Sequence, residues 1–199
     1  MSGTTRKLIT QVTLSIDGYS AGPTSDGMNG MGFLQEHASH EHSSTYFEGV
    51  WRGADTALLG RTNYEGFHSY WPLVVHDEDA AARDRDLATW IDTVEKVVFS
   101  RTLDKVEWQN SRLAEQELEA EVRALKSAPG RDILVLNSAS IIRQLLAAGL
   151  VDEMRIMIVP AVLGKGLRFF EGEPPYTTWQ LGGVKTLTTG AIALHYIRN

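Results

Sequence analysis

The sequence predicts an α/β fold: a largely parallel sheet flanked by helices and finished by an antiparallel hairpin. Three observations carry this reading. The stretch DILVLNSASIIRQLLAAGLVDEMRIMIVPAVLG, from Asp132 to Gly164, reads as a buried strand, a helix and a second buried strand, and strands joined by a crossover helix run parallel. Short apolar runs at 57–59 (ALL), 97–99 (VVF) and 133–136 (ILVL) each hand over abruptly to a polar or glycine-containing turn. Finally, WQLGGVKTLTTGAIALHYIRN at 179–199 sets two strand-like runs around Thr189 and Gly190, the pattern of a hairpin.

Taken in order, KLITQVTLSI is β-rich with imperfect alternation, as in a strand covered on both faces. A glycine-rich loop follows from Asp17 to Gly32, far longer than a hairpin needs, and loops of that length are usually functional or mobile. Helical spacing runs from Phe33 to Trp51. TALLG is a short buried strand, and RTNYEGFHSYW a helix expected to stop at Pro72. Residues 72–90 are charge-rich surface with some helix, and EKVVFSR is a strand. The amphipathic helix after Arg112 carries Leu118, Val122 and Leu125 on one stripe and closes at Pro129–Gly130. The crossover helix puts Ile141, Ile142, Leu145 and Leu146 inward, with Gly149 at its stop. No internal repeat is present.

At 199 residues, 43% of them apolar, the chain is long enough for one domain, 1–199, with a substantial core. A formal charge of −6 with scattered basic residues argues against nucleic acid as a partner. The absence of cysteine removes disulfides, a thiolate nucleophile and Cys-ligated zinc; it suits a reducing compartment, and a cytoplasmic location is expected. Thr10, Gln11, Thr13 and Ser15 interrupt the first apolar stretch, which reads as a strand and not a secretion signal. Runs such as IMIVPAVLG are too short to span a bilayer.

The three strand-to-helix junctions are the candidate chemistry: Gly60, Arg61 and Thr62; Ser100, Arg101 and Thr102; Asn137, Ser138, Ala139 and Ser140. In a parallel sheet all lie at the carboxyl ends of strands, where open α/β sheets bind ligands. Helix N-termini expose unpaired amides and a partial positive charge that suit a phosphate, and guanidinium pairs with phosphate oxygens. The alternative is that Thr62 caps its helix and Arg61 is solvated surface. Neither G-x-G-x-x-G nor a P-loop is present. His37, His40 and His42 lack the spacing of a metal site, so a solvated polar face is favoured and no metal is expected. LGKGLRFF, with its glycine pair around Lys165, reads as a flexible turn.

The motifs TLSIDGYSAG, LLGRTNYEGF, VVFSRTL and NSASIIRQLLAAGLVDEMRIMIVPAVLGKGLRFFEG together resemble the dihydrofolate reductase-like superfamily, specifically the C-terminal reductase domain of the bifunctional riboflavin-biosynthesis deaminase-reductase (RibD) and its stand-alone relatives. The resemblance implies a central mixed sheet, NADPH binding, and hydride transfer to a small heterocyclic substrate of the pterin or riboflavin-precursor kind, or to a carbonyl compound. It also implies a homodimer. By position, Ala21 would lie near the nicotinamide; Gly60, Arg61 and Thr62 would meet phosphates, Ser100 and Arg101 the ribose 2′-phosphate, and Asn137, Ser138 and Ala139 the pyrophosphate. Arg101 favours NADP over NAD. Many relatives carry a glycine pair where this chain has Asn137 and Ser138. Asp17, in the S-[LI]-D-G motif, is the first candidate for a substrate contact, against a turn residue bonding its own backbone. Glu36, Glu41 and Glu48 sit where dihydrofolate reductases place their substrate-binding acid, but none matches by motif. A non-catalytic ligand-binding protein of the same fold is the competing expectation.

Overall fold

The computed structural model describes residues 6–23, 30–34, 37, 48–172 and 176–199. Its strands are β1 (Leu8–Ser15), β2 (Tyr19–Ala21), β3 (Ala54–Gly60), β4 (Glu95–Phe99), β5 (Ser111–Leu113), β6 (Asp132–Leu136), β7 (Glu153–Val159), β8 (Leu167–Arg168), β9 (Trp179–Thr186) and β10 (Ile192–Arg198). Its helices are α1 (Arg61–Val75), α2 (Ala82–Thr93), α3 (Leu118–Ser127) and α4 (Ala139–Ala147). Eight strands form one sheet in the order β5–β4–β3–β6–β1–β7–β10–β9. The first six in that order run parallel, while β10 pairs antiparallel with β7 and with β9. A mostly parallel sheet closed by an antiparallel hairpin is thus what the chain forms.

Alternation along the strands decides which side each residue faces. Leu8, Val12 and Leu14 of β1 join Leu58, Val97, Ile133 and Val135 in a core closed by Val122 and Leu125 of α3 and Ile141, Ile142 and Leu145 of α4. The intervening Ile9, Ala57, Leu59, Val98, Leu134 and Leu136 form the opposite core with Trp51, Tyr64, Trp90 and Ile91. Burial on both faces explains the weak alternation of β1. The crossover helix ends as expected. Gly149 takes a left-handed φ of 65°, Leu150 N–H donates to Leu145 O at 3.0 Å and Gly149 N–H to Leu146 O at 3.1 Å, satisfying its last carbonyls.

Several local expectations need correction. Pro72 lies inside α1, which continues to Val75; so near the C-terminus, proline removes a single N–H from the ladder and the turn survives. The N-cap of α1 is Gly60, with no side-chain cap, so Thr62 does not cap it. His37 is buried, 8% exposed, and not part of a solvated face, while His40 and His42 lie outside the described residues. In the LGKGLRFF segment only Leu167 and Arg168 form a strand, β8, paired with β2, and residues 163–166 remain a turn. Lys96, within β4, is fully buried. Its ammonium donates to Ile91 O, Asp92 O and Val94 O at 2.9, 3.0 and 2.9 Å, capping the C-terminal end of α2, where a cation suits the helix dipole.

Candidate functional site

Because β4, β3, β6, β1 and β7 are parallel neighbours, their carboxyl ends form one continuous edge. Gly60 stands in register with Phe99, which puts the turn beginning at Ser100 beside the start of α1. On the other flank β3 pairs with β6, so the start of α4 is next in line. The three junctions singled out from the sequence are therefore adjacent.

Hydrogen bonds between the junctions fix their spacing. Gly60 N–H donates to Ser138 Oγ at 3.1 Å, and Ser138 Oγ donates to Leu136 O at 3.1 Å. The Asn63 side-chain amide reaches the same carbonyl at 3.0 Å. Ser138 is thus a buried cross-brace between β3 and β6, its hydroxyl already committed within the protein. A Cβ at Gly60 would lie 3.5 Å from Ile141 Cδ1 and 3.9 Å from Ser138 Oγ, ordinary packing distances. Neither α1 nor α4 has a side-chain cap; Ala139 N–H donates to Asn137 O at 3.0 Å, and the other first-turn amides have no acceptor within their own helices.

Asn137 replaces the expected glycine by two devices. It adopts a left-handed φ of 48°, which asparagine tolerates better than most residues. Its backbone N–H donates to Gln11 O at 2.9 Å, and its Oδ1 accepts from Thr13 N–H at 3.2 Å. The β1–β6 pairing ends at Gln11 and Leu136, so the side chain supplies the next ladder acceptor.

The cations differ in freedom. Arg61 is exposed and lies 3.5 Å from Glu65 one turn along α1, an ion pair of small worth in water. Arg101 is exposed, with no ion-pair partner among the described residues. Ser100 shapes the turn that presents it: its Oγ accepts from Thr102 N–H at 3.1 Å and Leu103 N–H at 3.0 Å.

Beyond β1 the edge changes character. Asp17 Oδ1 accepts from Ser15 Oγ at 2.7 Å and Leu163 N–H at 3.1 Å, and Oδ2 accepts from Gly164 N–H at 2.7 Å. The Ser15 hydroxyl, followed by the two loop amides, pulls the Asp17 carboxyl down to about 2. At neutral pH it is an anion and has no proton to donate. Its partners in the loop after β7 lie 146 and 147 residues away, beyond the reach of local turn chemistry. Ala21 ends β2, where its carbonyl would collide with a side chain on Gly166. Among the expected acids, Glu48 is ion-paired with Arg52 at 2.6 Å, and Glu36 and Glu41 lie outside the described residues.

The RibD C-terminal domain family model matches residues 6–193. The uncharacterized protein YyaP of Bacillus subtilis (strain 168) is 32% identical over 142 residues, covering 71% of this chain and 73% of that protein. A putative riboflavin biosynthesis protein from Shewanella sp. PV-4 superposes with a TM-score of 0.74 at 18% identity, over 97% of this chain and 99% of that one. Dihydrofolate reductase from Enterococcus faecalis, complexed with NADP(H) and RAB-propyl, superposes with a TM-score of 0.60 at 10% identity, over 97% and 96%. The fold is accordingly dihydrofolate reductase-like, and the chain belongs to the RibD C-terminal domain family.

Proposed function

We propose that the protein is an NADPH-dependent reductase that transfers a hydride to a small heterocyclic substrate, of the pterin or riboflavin-precursor kind, or to a carbonyl compound. The observation that carries this is the single edge on which two uncapped helix starts stand beside Arg101, which has no ion-pair partner among the described residues. That donor set fits a dinucleotide with an extra phosphate: amides for pyrophosphate oxygens, guanidinium for a 2′-phosphate. In this reading Gly60, Arg61, Thr62, Asn137, Ser138 and Ala139 hold the phosphates, Ser100 and Arg101 the 2′-phosphate, and Ala21 lines the nicotinamide end. Gly60, Asn137, Ser138 and Ala139 contribute by shaping the turns, since the N–H groups of Gly60, Asn137 and Ala139 and the hydroxyl of Ser138 are already used within the protein. When bound, the reduced nicotinamide supplies a hydride; the protein's share is binding and orientation.

One observation favours the non-catalytic alternative: Asp17 is a fully engaged anion, so it is not the proton donor that reduction of a heterocycle needs. A screen of pterins, flavin precursors and quinones for oxidation of NADPH separates the two. Turnover of any class supports the reductase, whereas saturable cofactor binding without turnover of any supports the binding protein.

The proposal includes a cytoplasmic homodimer. A cysteine-free chain suits a reducing compartment. On the outer strands Leu181, Val184 and Ile192 are 54%, 62% and 41% exposed, and register places Val184 opposite Leu194 and Leu181 opposite Tyr196. Such an apolar sheet surface suits a second copy.

A further inference from the structure

We propose that Asp17 is a positioning residue: its carboxylate latches the glycine loop 163–166 onto the β1–β2 turn and so sets the backbone of Ala21, without touching the reacting atoms. Successive amides of Leu163 and Gly164 converge on the two carboxylate oxygens at 3.1 and 2.7 Å, an anion-binding concavity of the kind made by consecutive backbone N–H groups. The loop reaches this shape because Gly164 and Gly166 take φ of 68° and 131°, conformations that side chains resist. On the turn side, Ser15 Oγ steers Asp17 from 2.7 Å and accepts from Tyr19 N–H at 2.9 Å.

A second strap runs parallel to the first. The Tyr19 hydroxyl donates to Gly164 O at 3.2 Å and accepts from Arg168 Nε at 3.3 Å, and the Arg168 guanidinium lies 5.2 Å from the Tyr19 ring centre. Ile16 N–H to Ala161 O at 2.8 Å and Phe169 N–H to Gly18 O at 2.9 Å close the two ends. Between these ties the backbones of three segments meet. A side chain on Gly166 would strike Ala21 O and Gly22, and one on Gly30 would strike Gly22 O. Movement of the loop is therefore passed to Ala21 and Gly22 by direct contact of main chain with main chain. Lys165 sits at the tip, exposed and with no ion-pair partner among the described residues. Asp17 is the only charged group that grips the loop's amides among the described residues, so the loop's order depends on it.

The latch itself is independent of the reductase reading; its effect on turnover rests on that reading. Limited trypsin digestion of the full chain, with cleavage after Lys165 followed by mass spectrometry, tests the first. Asp17→Asn keeps the shape but turns an amide group toward the loop N–H donors. It is expected to speed cleavage at Lys165 by about tenfold or more, the scale of one lost charge-assisted hydrogen bond. Cleavage after Arg123 and Lys126 in α3 should stay unchanged. Tyr19→Phe, which removes only the second strap, should speed Lys165 cleavage by a smaller factor. An unchanged rate at Lys165 in Asp17→Asn overturns the latch. So does equal acceleration at every site, or failure of this variant to fold, because Asp17 would then support the whole molecule. With a turned-over substrate, Asp17→Asn should lower kcat while leaving KM for NADPH within about twofold, since the phosphate-binding junctions are untouched. A changed Lys165 rate without any turnover in wild type would keep the latch and remove the reductase.

Discussion

Replacing Asn137 separates two physical roles that one side chain fills at the β6–α4 turn. The residue has φ of 48° and supplies Oδ1 to the buried Thr13 N–H at 3.2 Å. Asn137→Gly removes the acceptor but suits the backbone, so the cost is about 1–3 kcal/mol for a buried donor left without its partner. Asn137→Ala removes the same acceptor and adds about 1–2 kcal/mol for an L-residue held left-handed. Alanine should therefore be the less stable of the two by about 1–2 kcal/mol, the reverse of the usual order in regular structure, where glycine is worse by about 0.5–1 kcal/mol. Urea denaturation of the three proteins with unchanged m-values measures the differences directly. Equal stabilities for the alanine and glycine variants, or an alanine variant above the glycine one, would refute the assignment of left-handed strain to this turn.

Further outcomes follow from other residues. Arg101→Ala should weaken NADPH binding by about ten- to a hundredfold, the worth of a charge-assisted contact, leave NADH binding unchanged, and shift stability by no more than about 0.5 kcal/mol because the side chain is exposed; calorimetry and thermal melts check both. Lys96→Ala should cost about 3 kcal/mol or more, through three orphaned carbonyls and a cavity, and Lys96→Met less, measured by urea denaturation. Burial lowers the Lys96 ammonium to about 8, below its value in the unfolded chain. The unfolded state then binds more protons between about pH 8 and 10.5, so across that range wild type should gain stability relative to Lys96→Met as pH rises. Val184→Lys on the exposed apolar strand face should shift the protein from dimer to monomer in sedimentation equilibrium without changing its melting behaviour at low concentration.

What could be read from the sequence depended on whether the signal was local. The unit from Asp132 to Val159 was legible because its apolar spacing, Gly149 stop and buried strands are each written in neighbouring residues. The three junctions were legible for the same reason, and their adjacency followed once the strands were taken as parallel. Asp17 was not. Its partners Leu163 and Gly164 are backbone amides far along the chain, and a backbone donor leaves no mark in the amino-acid pattern. Lys96 was hidden likewise, since a lysine in EKVVF reads as an exposed strand residue until α2 is seen to end above it. Pro72 misled because the sequence marks where a helix loses one hydrogen bond, while packing of Tyr64 and Val74 decides whether the helix continues.

The most direct measurement is a titration of NADPH and NADH against the intrinsic tryptophan fluorescence of wild-type protein, repeated by calorimetry. The expected result is saturable binding of NADPH, at least about tenfold tighter than NADH, the scale of one guanidinium–phosphate contact. No saturable signal from either dinucleotide at millimolar concentration would contradict a nucleotide site on the carboxyl edge of the sheet.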